Sequence, residues 1–100
     1  MLVKSEIFNM YAEQVAELYE IEKKDLFKKT KKRRVVDARH LLYYLSKTRP
    51  MKLFQVKYQM EKNGYEIAHS SIIHGIKMVE KKIKEDRDYK RVIKSIRARV

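Results

Sequence analysis

Two groups of polar and cationic side chains carry the chemistry that this sequence could perform. One is the run KKTKKRR from Lys28 to Arg34, in which six of seven residues are cations. The other is one side of a predicted helix, and it consists of Ser70, His74, Lys77 and Lys81. At about 100° per residue, these four side chains fall within about 60° of one another. Ammonium, guanidinium, hydroxyl and imidazole groups donate hydrogen bonds to anionic oxygens, so both groups predict contact with a polyanion.

The histidines and serines are also the candidates for metal binding and catalysis. His69 and His74 are five residues apart, which turns them about 140° from each other on a helix, so they cannot share one metal ion. No nearby Asp or Cys supplies a further ligand. Ser70 and Ser71 have neighbouring histidines, but neither an acid nor an oxyanion framework accompanies them. We therefore expect no metal, no cofactor, no small-molecule substrate and no enzymatic activity.

Hydrophobic periodicity predicts the elements that must position these side chains. Apolar residues recur at helical spacing along most of the chain, and Gly and Pro are rare, so we expect one all-α domain over residues 1–100. The predicted helices cover residues 5–19, 21–27, 35–47, 53–60, 70–85 and a last segment capped by Asp86 or Asp88. The run 28–34 is an expected exposed loop, since like charges destabilise a helix, and 61–68 is an expected turn around Lys62-Asn63-Gly64.

Each predicted helix has an apolar side that we expect to face a common core. The expected inward residues are Ile7, Tyr11, Val15 and Leu18; Leu26 and Phe27; Val35, Ala38, Leu41, Leu42 and Leu45; Leu53, Val56 and Met60; Ile72, Ile73, Ile76, Val79 and Ile83; and Tyr89, Val92, Ile93 and Ile96.

The formal charge is large and unevenly distributed. The 100 residues contain 25 Lys and Arg against 13 Asp and Glu, for a net charge of +12. Residues 1–27 carry a net −3, whereas residues 28–100 carry a net +15, so a polyanion is expected to meet the chain from Lys28 onward. The absence of cysteine excludes disulfides and thiolate chemistry. We see no signal peptide and no membrane span, and we expect a cytoplasmic protein.

The order of two helices favours a helix-turn-helix over about residues 53–85. The short helix 53–60 is followed by a turn and by the longer helix from Ser70, whose first turn is polar and outward-facing. Such a helix can enter a DNA major groove, with its first turn on base edges and Lys77 and Lys81 reaching phosphates. Its exposed backbone amides also favour a phosphate.

Several motifs resemble the C-terminal DNA-binding domain of the bacterial replication initiator DnaA. They are Asp25-Leu26-Phe27, the basic run, Val35 with Arg39, and Ala68-His69-Ser70-Ser71-Ile72-Ile73-His74. The resemblance covers roughly residues 8–98, and its most specific part is His69-Ser70-Ser71 with the two β-branched residues and His74 that follow. It implies a small helical, Trp-repressor-like fold that binds double-stranded DNA.

The resemblance assigns roles at the matching positions. It implies that His69, Ser70 and Ser71 approach bases or phosphates in the major groove. It places the basic loop in the minor groove and along the backbone, and it gives the next helix further DNA-facing positions. The residues concerned are Lys31, Lys32, Arg33 and Arg34 in the loop, Arg39, His40 and Lys47 on the helix, and Leu53 and Phe54 at the start of the helix-turn-helix.

Three departures from the family bear on the target sequence. Ala68 occupies the position where the family has a base-reading aspartate. Lys31 occupies the position where the family prefers an arginine that enters the minor groove. The turn before Ala68 is also about three residues longer than usual, by hand alignment.

Only Gly64 and Gly75 are present, so no phosphate-cradling ATP loop can form. We therefore expect the DNA-reading domain alone, acting in replication control or transcriptional regulation.

Other partners and functions stay open at this stage. The expected setting is the nucleoid of a bacterial or phage-infected cell, where a host initiator or replication proteins could be further partners. An RNA-binding module is one alternative. Another is a protein-interaction adaptor using the acidic first helix, which carries Glu6, Glu13, Glu17 and Glu20. A membrane surface is disfavoured, because the apolar faces suit one core and no tryptophan is present to anchor an interface.

Overall fold

The computed structural model describes residues 3–100, which contain five α-helices and one short 3₁₀ helix. The helices are α1 (Lys4–Leu18), the 3₁₀ helix (Lys23–Phe27), α2 (Arg33–Thr48), α3 (Leu53–Lys62), α4 (His69–Glu85) and α5 (Arg87–Arg99). No strand occurs within residues 3–100. The all-α prediction is therefore confirmed.

Helix α2 lies at the centre and contacts α1, the 3₁₀ helix, α3 and α4. Its predicted apolar side is confirmed, because Val35, Ala38, Leu41, Leu42 and Leu45 are all buried. The 3₁₀ helix closes one end of this core by burying Leu26 completely, and the ring of Phe27 lies 6.4 Å from that of Phe8. Since α2 contacts α4 along with the other elements around it, its burial positions α4 as well.

Two residues expected in the core are exposed instead. Leu18 is 40% exposed, because the buried face of α1 is centred on Phe8, Tyr11, Ala12, Val15 and Ala16 and Leu18 lies at its margin in the last turn. Ile73 is 38% exposed for the same geometric reason, since α4 faces the core through Ile72, Gly75 and Val79.

The structure corrects the extent of the basic loop and of the turn. Arg33 and Arg34 form the first turn of α2, so the loop spans only Lys28 to Lys32. Arg33 Nε lies 3.4 Å from Asp37 Oδ2, one helical turn later, and this ion pair offsets the crowding of charge. Likewise, α3 continues to Lys62, which leaves residues 63–68 as the turn, with Gly64 at a φ of 95°.

The last helix begins as predicted. Asp86 is the N-cap of α5, and its carboxylate accepts a hydrogen bond of 2.9 Å from the Asp88 backbone N–H. Ile93 and Ile96 are buried, while Tyr89 and Val92 pack against the core. Within residues 3–100, every helix is too short or too polar to cross a bilayer.

Candidate nucleic-acid interface

A groove forms where the basic loop meets the first turns of α4, and we call it the loop–helix groove. Its volume is about 370 Å³. Six residues that the sequence proposed for the site line it, together with five that it did not. The proposed residues are Lys31, Arg39, His40, Ser70, Ser71 and His74, and the others are Thr30, Val36, Tyr43, Tyr65 and Ile67. The fold thus brings Lys31 of the cationic run together with Ser70 and His74 of α4, whereas Lys28, Lys32 and Arg34 line a separate groove with Asp25.

The polar face of α4 is exposed along its whole length. His69, Ser70 and Ser71 are exposed in the first turn, and His74, Lys77 and Lys81 follow towards the C-terminus. The N-cap residue Ala68 makes no side-chain cap hydrogen bond, so the first turn keeps backbone amides available to an outside acceptor. The start of α4 can therefore donate from both side chains and backbone.

A second groove runs along the adjacent flank of α4. Its volume is about 340 Å³, and it is lined by Lys47, Thr48, Leu53, Ile73, Ile76, Lys77 and Glu80. Three of the proposed site residues, Lys47, Leu53 and Lys77, are therefore here rather than in the loop–helix groove. Phe54, which was also proposed, is 57% exposed on α3. On the same polar face of α4, Ser70 and His74 line the loop–helix groove and Lys77 lines the second groove.

Close packing of α4 on α2 sets the depth of the loop–helix groove. A Cβ atom at Gly75 would lie 2.8 Å from both His40 Cδ2 and Tyr43 Cδ2, which is closer than side chains tolerate. Farther along α4, Lys82 Nζ lies 3.5 Å from Asp37 Oδ2 and joins the two helices again. A glycine is required at position 75 for this approach.

His40 and His74 form a pair on the groove wall. Their ring centroids are 5.7 Å apart, and the rings meet edge to face. Burial lowers the pKa of His40 below its usual value, the charge of His74 lowers it further, and Asp37 acts in the opposite direction. His40 is therefore neutral at neutral pH, so it offers one ring donor and one ring acceptor.

The structure corrects the prediction that Arg39 faces DNA. Its side chain is only 5% exposed. Arg39 Nε donates to the Leu26 carbonyl at 2.8 Å, and its Nη2 donates to the carbonyls of Lys28 and of Thr30, the latter at 3.2 Å. The guanidinium also lies 4.5 Å from the centre of the Tyr65 ring. Arg39 is thus held inside the protein by the loop, because loop carbonyls replace the water that the cation would otherwise need.

The proposed cations at the end of the loop and in the first turn of α2 are available on the surface. Lys31, Lys32, Arg33 and Arg34 are all exposed. The Lys32 backbone N–H donates to Thr30 Oγ1 at 3.3 Å, which shapes the entry into α2. Four adjacent exposed cations, of which Lys31 lines the loop–helix groove, form a surface that attracts phosphate.

Tyr43 and Tyr65 are groove residues that the sequence analysis missed. Tyr43 follows Arg39 by four residues on α2, so helical spacing could have placed it beside the groove. Burial raises the pKa of the Tyr43 hydroxyl above its usual value, which keeps it protonated. Nothing near Tyr65 in the sequence predicts its place in the groove, because its partner Arg39 is distant in the sequence and only the packed fold brings them together.

Neither a metal-binding cluster nor a similarity to a known protein assigns a role to this surface. Among residues 3–100, no three His, Cys, Asp or Glu side chains cluster closely enough to hold a metal ion. Comparison of the chain with protein-family models, curated proteins and solved structures found no match.

Proposed function

We propose that the protein binds double-stranded DNA, with α4 in the major groove and the basic loop on the adjacent minor groove and backbone. The observation that carries this proposal is the convergence of the loop and the first turn of α4 on the loop–helix groove. A major groove about 12 Å wide admits one α-helix. The exposed polar face of α4 presents short donors at its start and lysines farther along, which suits bases first and phosphates second.

The arrangement of α3 and α4 supports a helix-turn-helix interpretation. The two helices contact each other and are joined by residues 63–68. Lys57 Nζ donates to the Ile67 carbonyl at 2.6 Å and lies 2.8 Å from Glu61 Oε2, so side chains of α3 hold the end of the turn. A supported turn gives the first residues of α4 a defined position, which base recognition requires.

The resemblance to the DnaA DNA-binding domain supports a sequence preference and a role in replication control or transcriptional regulation. In that role the protein acts at the nucleoid, where it competes with or accompanies a host initiator. Exposed Ala68 stands at the family's aspartate position and cannot accept a hydrogen bond through its side chain. We expect this change to relax selectivity at one base pair by about 1–3 kcal/mol.

Two exposed aromatic rings favour a second candidate function, binding of single-stranded nucleic acid or RNA. Phe54 and Tyr58 are 57% and 60% exposed and lie one turn apart on α3. Bases stack on such rings with little sequence dependence. Duplex DNA remains the leading proposal, because Lys31 of the loop and the first turn of α4 line the same groove.

The proposal is tested by fluorescence anisotropy with two labelled duplexes, one carrying the DnaA box and one carrying the same bases scrambled. Titrations at low and at physiological salt are repeated with Ser70→Ala/Ser71→Ala. Ser95→Ala is the matched control, because Ser95 is also an exposed helical serine but lies on α5. We expect a box preference that persists at physiological salt, disappears in the double variant and is unchanged in the control.

Two outcomes would overturn the proposal. Equal binding to both duplexes that is lost at physiological salt would reduce the protein to a non-specific polycation. Tighter binding to single strands or structured RNA, abolished by Phe54→Ala/Tyr58→Ala, would establish the second candidate instead.

A further inference from the structure

One buried side chain connects three segments of the candidate interface. The guanidinium of Arg39 hydrogen-bonds to the carbonyls of Leu26, Lys28 and Thr30, which span the end of the 3₁₀ helix and the basic loop. Its other contact is the ring of Tyr65, from the turn between α3 and α4. Because Arg39 itself belongs to α2, the loop, the turn and the central helix meet at a single group.

The Arg39 guanidinium can stay buried only while the loop keeps its conformation. A buried cation is costly unless polar partners replace its hydration. The ion pairs found within residues 3–100 do not include Arg39. Loop carbonyls and the face of the Tyr65 ring therefore take the place of a carboxylate. If the loop leaves its position, the guanidinium loses its acceptors, so the two arrangements depend on each other.

We propose that Arg39 is a positioning residue, which holds the basic loop and the α3–α4 turn in one arrangement relative to α4 before any partner binds. This inference rests on the proposed function, because it assigns to Arg39 the preorganisation of the DNA-binding surface. A loop that is already ordered loses less conformational entropy on binding. The exposed loop cations and the first turn of α4 can then contact one duplex together.

The first test uses the protein without DNA. The basic loop consists largely of trypsin sites, so its rate of cleavage reports how often it leaves its position. We expect Arg39→Met to raise the rate of cleavage within residues 28–34 at least tenfold, while far-UV circular dichroism shows a folded protein. Arg39→Lys should be intermediate, because a lysine keeps the charge but cannot present the planar fork of donors.

Arg97→Met is the matched control for this test. Arg97 also lies over a tyrosine ring, 5.8 Å from the centre of Tyr44, and it donates to the hydroxyl of Thr48. Its contacts involve neither the loop nor the turn, so we expect loop cleavage at the wild-type rate. If Arg39→Met fails to fold, Tyr65→Leu removes only the ring and should still raise loop cleavage severalfold. If Arg39→Met folds and its loop is cleaved at the wild-type rate, the proposal is overturned. If Arg39→Met does not fold, loop cleavage at the wild-type rate in Tyr65→Leu overturns it.

A second test separates positioning from direct contact with DNA. Arg39→Met should weaken binding to the box duplex at least tenfold and leave the slope of log K against log salt unchanged, since every exposed loop cation is kept. A slope that is smaller in magnitude by about 0.9 would mean that Arg39 itself neutralises a phosphate, which would contradict the positioning role. If wild-type protein binds no duplex while Arg39→Met still loosens the loop, the DNA-binding proposal fails and the positioning role stands.

Discussion

The environment of a side chain, rather than its type, decides its chemistry in this interface. Arg39 and Arg34 are both arginines near the basic loop, yet the first is buried under loop carbonyls and the second is exposed. His40 and His74 likewise share one groove wall, but only His40 is half-buried there. Burial converts a potential ligand-binding cation into a structural one and keeps an imidazole neutral.

Acidification should destabilise the protein through His40. Its pKa is lower in the folded protein than the usual value, chiefly because of burial and next because of His74. The groups that face it are His74, Asp37, Lys82 and Arg39. The unfolded chain binds the proton more readily, so the stabilisation is present above the usual histidine pKa of about 6.5 and is lost as the pH falls through the lower folded value.

Urea denaturation at a series of pH values between about 7.5 and 5 measures this effect, starting above the ordinary histidine pKa. We expect the midpoint to fall with pH in the wild type and to fall less in His40→Gln. His69→Gln removes an exposed histidine instead and should retain the wild-type dependence. A His40→Gln variant with the full wild-type dependence would show that another group is responsible.

At the scale of elements, α4 is oriented by close contact with α2. The contact is possible because position 75 has no side chain, and it turns the opposite, polar face of α4 to the surface. The Lys82–Asp37 ion pair and the buried Ile72 and Val79 hold the same orientation. The exposure of the candidate recognition face is thus a consequence of how its buried face packs.

Gly75→Ala should lower the free energy of unfolding, although alanine favours helix over glycine by about 1 kcal/mol. The new Cβ would lie 2.8 Å from atoms of His40 and Tyr43, and Tyr43 is buried. Overpacking of this kind costs about 1–3 kcal/mol, so we expect a net loss of about 1 kcal/mol. The urea midpoint measures the loss, and DNA affinity should fall with it as α4 shifts.

Gly64→Ala is the control for this prediction. A Cβ at Gly64 meets nothing within 4 Å, but the φ of 95° is strained for alanine, so we expect a loss of about 1–2 kcal/mol without any change in groove geometry. Wild-type stability or better in Gly75→Ala would show that the two helices separate without cost.

At the scale of the whole molecule, charge is segregated along the chain. The acidic residues of the first 27 positions lie mainly on α1 and the 3₁₀ helix, whereas the loop, α4 and α5 carry most of the cations. The segregation directs a polyanion towards the second part of the chain. It also makes the strength of binding depend on salt.

The salt dependence of DNA binding should be steep and should depend on the loop. Neutralisation of six to eight phosphates gives a log–log slope of about −5 to −7. Replacement of Lys31, Lys32 and Arg34 by glutamine should reduce its magnitude by about 3. The same change at Lys4, Lys23 and Lys24, the three cations of residues 1–27, should leave the slope unchanged. Equal effects of the two triple variants would indicate a diffuse interaction without a defined site.

Local features of the sequence were sufficient to predict the elements and part of the interface. Helical periodicity depends on residues three or four apart, so it located the helices, the buried side of α2 and the exposed face of α4. The N-cap of α5 depends on residues only two positions apart, and the sequence had limited it to Asp86 or Asp88 for the same reason. The predicted end of the basic loop was wrong, because Arg33 and Arg34 lie in the first turn of α2, where Arg33 pairs with Asp37 one turn later.

Tertiary structure alone decided which side chains share a site and which are buried. The sequence placed Arg39 on the DNA-facing side, and only the docking of the loop and the turn on α2 encloses it between carbonyls and Tyr65. The split of the proposed residues among three grooves, one of which holds Lys32 and Arg34, follows from the same packing. These contacts join residues far apart in the chain, so their formation depends on how whole helices pack and not on local spacing.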